Sequence, residues 1–278
     1  MKSVLHLLIL CLIIVLPSCK KDHSNPDENK PTPFSYDTDA QAFFTSSAIS
    51  DSTQKMAVND FVLALKKDSL WNKFKAIYPM LGGTATSARW NLKDPRDADD
   101  AYRLTFTGTP VFAATGVTFP TTSDYADTHI TDSIAGGFNN SAISYFSRTQ
   151  NNIVGYDMGC SDENYPYNEL AILTDDSYTS EWFGSRSNIA DTNTVGLFML
   201  SATELNVKNY KNGVVLVSSA NAPTDVYTNM SIWIGATRGA SASGQKECAL
   251  ASIGSGLTDA QAAAFYKDVK AFETKLNR

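Results

Sequence analysis

The sequence predicts a mainly β protein, an antiparallel β-sandwich with helices at both ends. Three observations carry that prediction. Asn212-Gly213 sits between two runs rich in Val, Leu and Tyr, at 205–211 and 214–219. Both turn residues tolerate the positive φ of a two-residue type I′ turn, so a hairpin closes here with Tyr210 opposite Val215. Further strand-like runs lie on either side, joined by segments rich in Gly, Asn, Asp, Ser and Thr, with no βαβ alternation. Helical spacing of apolar residues occurs only near the two ends.

The first element is a targeting segment. Lys2 precedes an apolar run over 4–16, too short for an ordinary membrane span, which ends in Leu16-Pro17-Ser18-Cys19. That ending resembles the lipobox of bacterial lipoproteins. The resemblance implies removal of residues 1–18, lipidation of Cys19, and an exported protein anchored by lipid in the cell envelope, on the periplasmic or surface face of the outer membrane. Residues 19–38 then read as a disordered tether. It carries three prolines and many charges, with no apolar residue before Phe34, and cannot bury enough surface to offset its ordering entropy.

Residues 39–84 read as a helical segment resting on the sandwich. Asp51-Ser52 caps a helix bearing Met56, Phe61, Val62 and Leu65. Asp68-Ser69 is expected to cap a second, with Leu70, Trp71, Phe74, Ile77 and Tyr78 on one side. Pro79 and Gly82-Gly83 stop it. Residues 85–256 form the β region. Strands are expected over 102–106, 141–148, 154–158, 169–173, 195–200, 230–235 and 248–253, besides the hairpin. Residues 257–278 revert to helix. Thr258-Asp-Ala-Gln261 is a capping-box pattern, and Leu257, Ala262, Phe265, Val269, Phe272 and Leu276 form an apolar stripe.

With these elements placed, two resemblances can be stated. The hairpin around Tyr210-Lys-Asn-Gly-Val-Val-Leu216 looks like part of a concanavalin A-like or laminin-G-like jelly roll. The second resemblance rests on Trp71-Asn-Lys-Phe-Lys-Ala-Ile-Tyr-Pro79, Arg89-Trp-Asn-Leu-Lys-Asp-Pro-Arg96, Ser144-Tyr-Phe-Ser-Arg148, Tyr156-Asp-Met-Gly159 and the stretch from Glu247 to Asp259. Together these are similar to a domain of phage virion-associated and exported bacterial proteins. The resemblance implies a fold and a surface context, and no catalytic role.

Charge and chemistry narrow the function classes. The net charge is −6, with no basic block, so nucleic acid has no electrostatic footprint here. Within the β region the one histidine is His129, read as a surface residue of a Thr- and Asp-rich loop. A His-rich zinc site and a Gly-x-Ser-x-Gly nucleophile are both missing. Asp94, Asp97, Asp99 and Asp100 have the oxygens calcium prefers, but Lys93, Arg96 and Arg103 lie among them, so a salt-bridged turn is favoured and no cofactor is expected. Once the signal is removed and Cys19 is lipidated, Cys160 and Cys248 remain. Export permits a disulfide between them, and two buried thiols are the alternative.

Asp162-Glu163 and Asp175-Asp176 read as solvated turns, and no alternating carboxylate pattern of a glycoside hydrolase is present. Tyr165, Tyr167, Trp182 and Arg186 fall in loop-like segments and could offer a sugar ring an aromatic face beside polar partners. The expected function is therefore a non-catalytic envelope module that binds glycan or another surface ligand. A structural protein–protein domain is the alternative, and an envelope glycoside hydrolase is a third.

Overall fold

A computed structural model describes residues 35–137, 139–160, 168–171, 177–182, 185–204, 206–219, 229–237 and 243–278; at 168–171, 177, 181–182 and 185–186 it describes the backbone alone. Tyr36–Arg278 forms one compact unit. In chain order it begins with helices α1 (Thr38–Ser47) and α2 (Ser52–Lys67), strand β1 (Phe74–Tyr78) and the short helix α3 (Ala85–Ala88). Strands β2 (Thr105–Thr107), β3 (Val111–Ala113), β4 (Gly116–Thr118) and β5 (Tyr125–Thr131) follow, then the short helix α4 (Asp132–Ala135). Next come β6 (Asn140–Ser147), β7 (Met158–Cys160), β8 (Asn168–Ala171), β9 (Ser177–Trp182) and β10 (Ser185–Ala190). The chain closes with β11 (Gly196–Thr203), β12 (Asn206–Lys211), β13 (Val214–Ser219), β14 (Ser231–Ile234), β15 (Glu247–Gly254) and helix α5 (Asp259–Lys275).

The strands form two antiparallel sheets. The first runs β13-β12-β11-β6-β15-β4-β3, with β1 also paired to β15; the second runs β10-β9-β8-β7-β14-β5-β2. Between them Ile143, Tyr145, Phe198, Leu200 and Ile253 of the first sheet meet Ile130, Met158, Tyr178, Ile232 and Ile234 of the second. The opposite face of the first sheet presents Ile77, Leu197, Met199, Tyr210 and Leu250 to α1, α2 and α5. Phe61 stacks on Phe272 at 4.9 Å, and Phe74 meets Phe265 at 4.6 Å. The central strands of the first sheet are thus buried on both faces. That explains why β6, β11 and β15 read as near-continuous apolar and small residues rather than alternating ones. Each large apolar side chain buried this way contributes about 1.5–3 kcal/mol. Among the described residues no helix is long and apolar enough to cross a membrane.

Several expectations hold. Tyr210 pairs with Val215 across the Asn212-Gly213 turn. Asp51 caps α2 through the Gln54 amide, and Thr258 and Gln261 form the capping box of α5. Others are corrected. The stretch expected as a second helix is strand β1 after a single 3-10 turn, Trp71–Lys73. Its spacing imitates a helix because both strand faces are buried: Ala76 and Tyr78 enter the sandwich, while Phe74 and Ile77 face the helices. Asp68 is the C-cap of α2, not an N-cap. The β-sandwich therefore takes a strand from the segment read as helical. Helix α1, capped by Asp37, begins inside the segment read as tether. The strand expected over 102–106 shrinks to β2, because Tyr102 adopts φ 61 after a 3-10 turn. The 154–158 strand moves to β7, with Tyr156 in a lone bridge to Ser243.

Cys160 and Cys248 are buried thiols, not a disulfide. They lie on opposite sheets of the sandwich, in β7 and β15. Facing sheets stand about 10 Å apart, whereas a disulfide needs Cα atoms about 4.4–6.8 Å apart.

Two buried ion pairs tie the ends of the sandwich. Lys246 Nζ lies 3.5 Å from Asp157 Oδ2, both side chains being almost fully buried. Arg278 Nε lies 2.7 Å from Glu273 Oε2. The same guanidinium donates to the carbonyls of Pro79, Ala249 and Thr115, joining the exit of β1, β15 and the β3–β4 turn. Burial pushes the Glu273 carboxyl up and the Arg278 guanidinium down, each opposed by the other's charge.

Candidate functional site

The second sheet keeps one face turned away from the core. Along β5, Ala126, Thr128 and Ile130 are buried while Tyr125, Asp127, His129 and Thr131 are half-buried. Along β14, Ile232 and Ile234 are buried and Trp233 is half-buried. The alternation follows from the two-residue period of a strand with one buried face. On the outer face Trp233 and Tyr125 stack with ring centroids 3.7 Å apart and planes 6° apart. Trp233 pairs in register with Asp127 on one side and with Gly159 on the other. Gly159 contributes no side chain at that position and is itself buried.

Polar groups gather on the Asp127 side. Register slips between Ser231 and Trp233, where β5 bulges and His129 takes φ 57. The His129 amide donates to Asp127 Oδ1 at 2.8 Å, and its Nε2 lies 2.8 Å from Thr105 Oγ1 and 3.6 Å from Asp99 Oδ1. Bulges of this kind re-aim a side chain. His129 was expected in a loop; it stands in a strand, with its side chain a quarter exposed.

Beyond it lies the expected salt-bridged turn. Arg103 donates to Asp99 at 2.7 Å and to Asp97, which also accepts from Arg89. The Arg103 guanidinium, helped by Arg89, holds the Asp97 carboxyl below its usual range. Arg96 grips Asp94 through two nitrogens and reaches Asp100. Lys93 lies elsewhere, its Nζ 3.5 Å from the Trp71 ring centroid, and burial lowers its pKa to about 8. All four acids expected as calcium oxygens thus face arginines. Among the described residues no group of three or more His, Cys, Asp or Glu is placed to hold a metal ion.

The residues singled out from sequence are divided. Cys19, Tyr165, Tyr167, Asp162, Glu163, Asp175 and Asp176 lie outside the described residues. Trp182 and Arg186 belong to strands β9 and β10, not to loops. Arg186 pairs with Glu181, and Trp182 pairs with Ser185 and Asn168. The structure brings together a different aromatic pair, Tyr125 and Trp233, which sequence reasoning passed over. The signal was present for Trp233: it alternates with Ile232 and Ile234 and so takes the polar parity of its strand. Tyr125 starts a strand whose outer positions are Asp, His and Thr, and that composition reads as a loop.

No sequence family matches the chain, and no curated protein matches it in sequence. Solved structures do resemble it. Trypanosoma rangeli sialidase in complex with 2,3-difluorosialic acid aligns with a TM-score of 0.52 at 9% identity, over 76% of this chain and 38% of the sialidase. Domain 4 of AbnA, a GH43 extracellular arabinanase from Geobacillus stearothermophilus in complex with arabinotriose, aligns at 0.47 and 16% identity, over 69% of this chain and 98% of that one. The receptor binding domain of botulinum neurotoxin C/D mosaic serotype aligns at 0.46 and 11% identity, over 71% and 51%. At these identities the likeness is one of fold, an antiparallel β-sandwich of jelly-roll type.

Proposed function

We propose that this chain is a non-catalytic, lipid-anchored module of the bacterial cell envelope that binds glycan on the outer face of its second sheet. The observation that carries the reading is the Tyr125–Trp233 ring pair, half-buried and flanked by Gly159 on one side and Asp127 on the other. An apolar ring face beside a few placed polar groups is what a pyranose requires: C–H bonds stack on the aromatic surface and hydroxyls bond the polar rim. The fold, shared with 38% of the length of a sialidase, supports a carbohydrate-binding module-like role and names no ligand. The anchor rests on the Leu16-Pro17-Ser18-Cys19 lipobox. A glycan array probed with the full chain in detergent tests the ligand. Saturable binding to one glycan class supports the proposal, and no binding at millimolar glycan removes it. Metabolic labelling with a fatty acid tests the anchor: label should enter the wild type and be missing from Cys19→Ala.

A second reading, a glycoside hydrolase, is favoured by one observation. Glu169 pairs directly with Glu181 across β8 and β9. Direct cross-strand partners share one face of a sheet, and a glycosidase needs two carboxyl-bearing positions on one face. Reducing ends released from the array hit, and their loss in Glu169→Gln, would support it. An intact oligosaccharide after prolonged incubation would exclude it.

A further inference from the structure

On the side of the sandwich away from Trp233, helices α2 and α5 meet through the same spacing. Ala57, Asp60, Phe61 and Ala64 recur at i, i+3, i+4 and i+7 on α2, and Asp268, Ala271, Phe272 and Lys275 do so on α5. Residues so spaced share one helix face. Phe61 and Phe272 stack at 4.9 Å and hold the two faces together. The alanines beside them are too small to fill the space, and a cavity of about 130 Å³ remains, lined by both faces.

The cavity is apolar apart from three charged side chains. Asp60 and Lys275 pair with each other and are 52% and 35% exposed, so they stand at its solvent end. Asp268 is only 3% exposed, and its Oδ2 has no hydrogen-bond partner among the described residues. Lys267 Nζ lies 3.9 Å from Asp268 Oδ1, but it is exposed and stands nearer Asp68, at 3.2 Å. Lys67, also near this carboxyl, is exposed on the last turn of α2. Two carboxylates thus line the cavity against one ammonium. A buried carboxylate without a partner is costly in an apolar site. Water can solvate the oxygen and cannot neutralise it. A divalent metal ion takes several oxygens, and among the described residues no group of three or more His, Cys, Asp or Glu is placed to hold one. An alkylammonium answers both features of the cavity. Its three N–H donors suit the carboxylate, and its methylene chain suits the alanine and phenylalanine walls.

We propose that the cavity between α2 and α5 is a binding site for a small primary alkylammonium ion, its charged end paired with Asp268 Oδ2 and its chain against Phe61, Ala64, Ala271 and Phe272.

The test titrates the full chain calorimetrically, in an uncharged detergent at pH 7.5, with n-butylammonium chloride. Butan-1-ol and sodium chloride are run beside it, as probes that keep only the chain or only the charge. The expected result is saturable binding of butylammonium in the millimolar range, the order so few atoms can supply, with none for the other two probes. At pH 4.5 the amine keeps its charge while Asp268, raised to about 6, holds its proton, so affinity should fall about tenfold or more. Asp268→Asn, shown to be folded by circular dichroism, should lose the binding at pH 7.5. Ala64→Leu, which fills the cavity and keeps the carboxylate, should weaken it. Wild-type affinity in Asp268→Asn, butan-1-ol binding as tightly as butylammonium, or no saturable butylammonium binding up to about 100 mM each overturns the inference.

Discussion

Trp233 lies flat against Tyr125, 3.7 Å between centroids and 6° from parallel, on the side of the second sheet that faces away from the core. The parallel contact leaves the indole little room to turn and holds it in one orientation. A rigid ring loses little further entropy when a sugar settles on it, so the pair is pre-organised for binding.

The charge at Asp268 makes stability fall as pH rises. Its side chain is almost fully buried on α5, and Oδ2 has no hydrogen-bond partner. Burial, with Asp68 nearby, pushes its carboxyl from 3.8 up to about 6. Below 3.8 both states hold the proton. Between 3.8 and about 6 the folded state keeps it and the unfolded chain releases it, so stability drops through that window and stays lower above it. Asp268→Asn should raise Tm at pH 7.5 by about 2–4 °C, for a gain on the order of 1 kcal/mol, and leave Tm at pH 4 nearly unchanged. Calorimetric scans at the two pH values check this.

Breaking the Arg278–Glu273 pair should be costly. Both side chains are buried, and the guanidinium also serves the carbonyls of Pro79, Thr115 and Ala249. Arg278→Met leaves a buried carboxylate alone and should lower stability by about 3–5 kcal/mol in urea unfolding. Adding Glu273→Gln should recover part of that loss.

Gly213 joins the hairpin to α5. It has φ 75, and a Cβ there would stand 2.9 Å from Tyr266 Cβ and 3.0 Å from Ala263 Cα. Gly213→Ala should destabilise by about 1–3 kcal/mol, through backbone strain and displacement of α5. Urea denaturation of the variant checks the magnitude.

The two thiols should be inert in the folded protein. Cys160 and Cys248 are fully buried, and burial raises the Cys248 thiol well above its ordinary pKa. A thiol reagent should label neither under native conditions and both in guanidinium, and a reductant should not shift Tm. Native labelling, or a reductant-dependent Tm, would contradict the structure.

What the sequence made legible was what local chemistry decides. Asn212-Gly213 sets a turn, Thr258 and Gln261 cap a helix, and an uninterrupted stripe from Leu257 to Phe272 names its buried face. Residues 74–78 misled because burial on both faces erases the two-residue alternation. Tyr125–Thr131 was missed for the opposite reason: its outward positions are so polar that the strand resembles a loop. The aromatic pair joins residues more than a hundred positions apart, and only the β5–β14 pairing brings them together. That pairing is tertiary information, which single-strand patterns do not carry.

The most direct test of the central claim is titration of the full chain with the glycan class found on the array, comparing wild type, Trp233→Ala and Trp182→Ala. Trp233→Ala should lose about tenfold or more in affinity, with its circular dichroism spectrum unchanged, while Trp182→Ala should bind as the wild type does. Wild-type affinity in Trp233→Ala, with loss in Trp182→Ala, would contradict the site and move it to the β9–β10 end of the sheet.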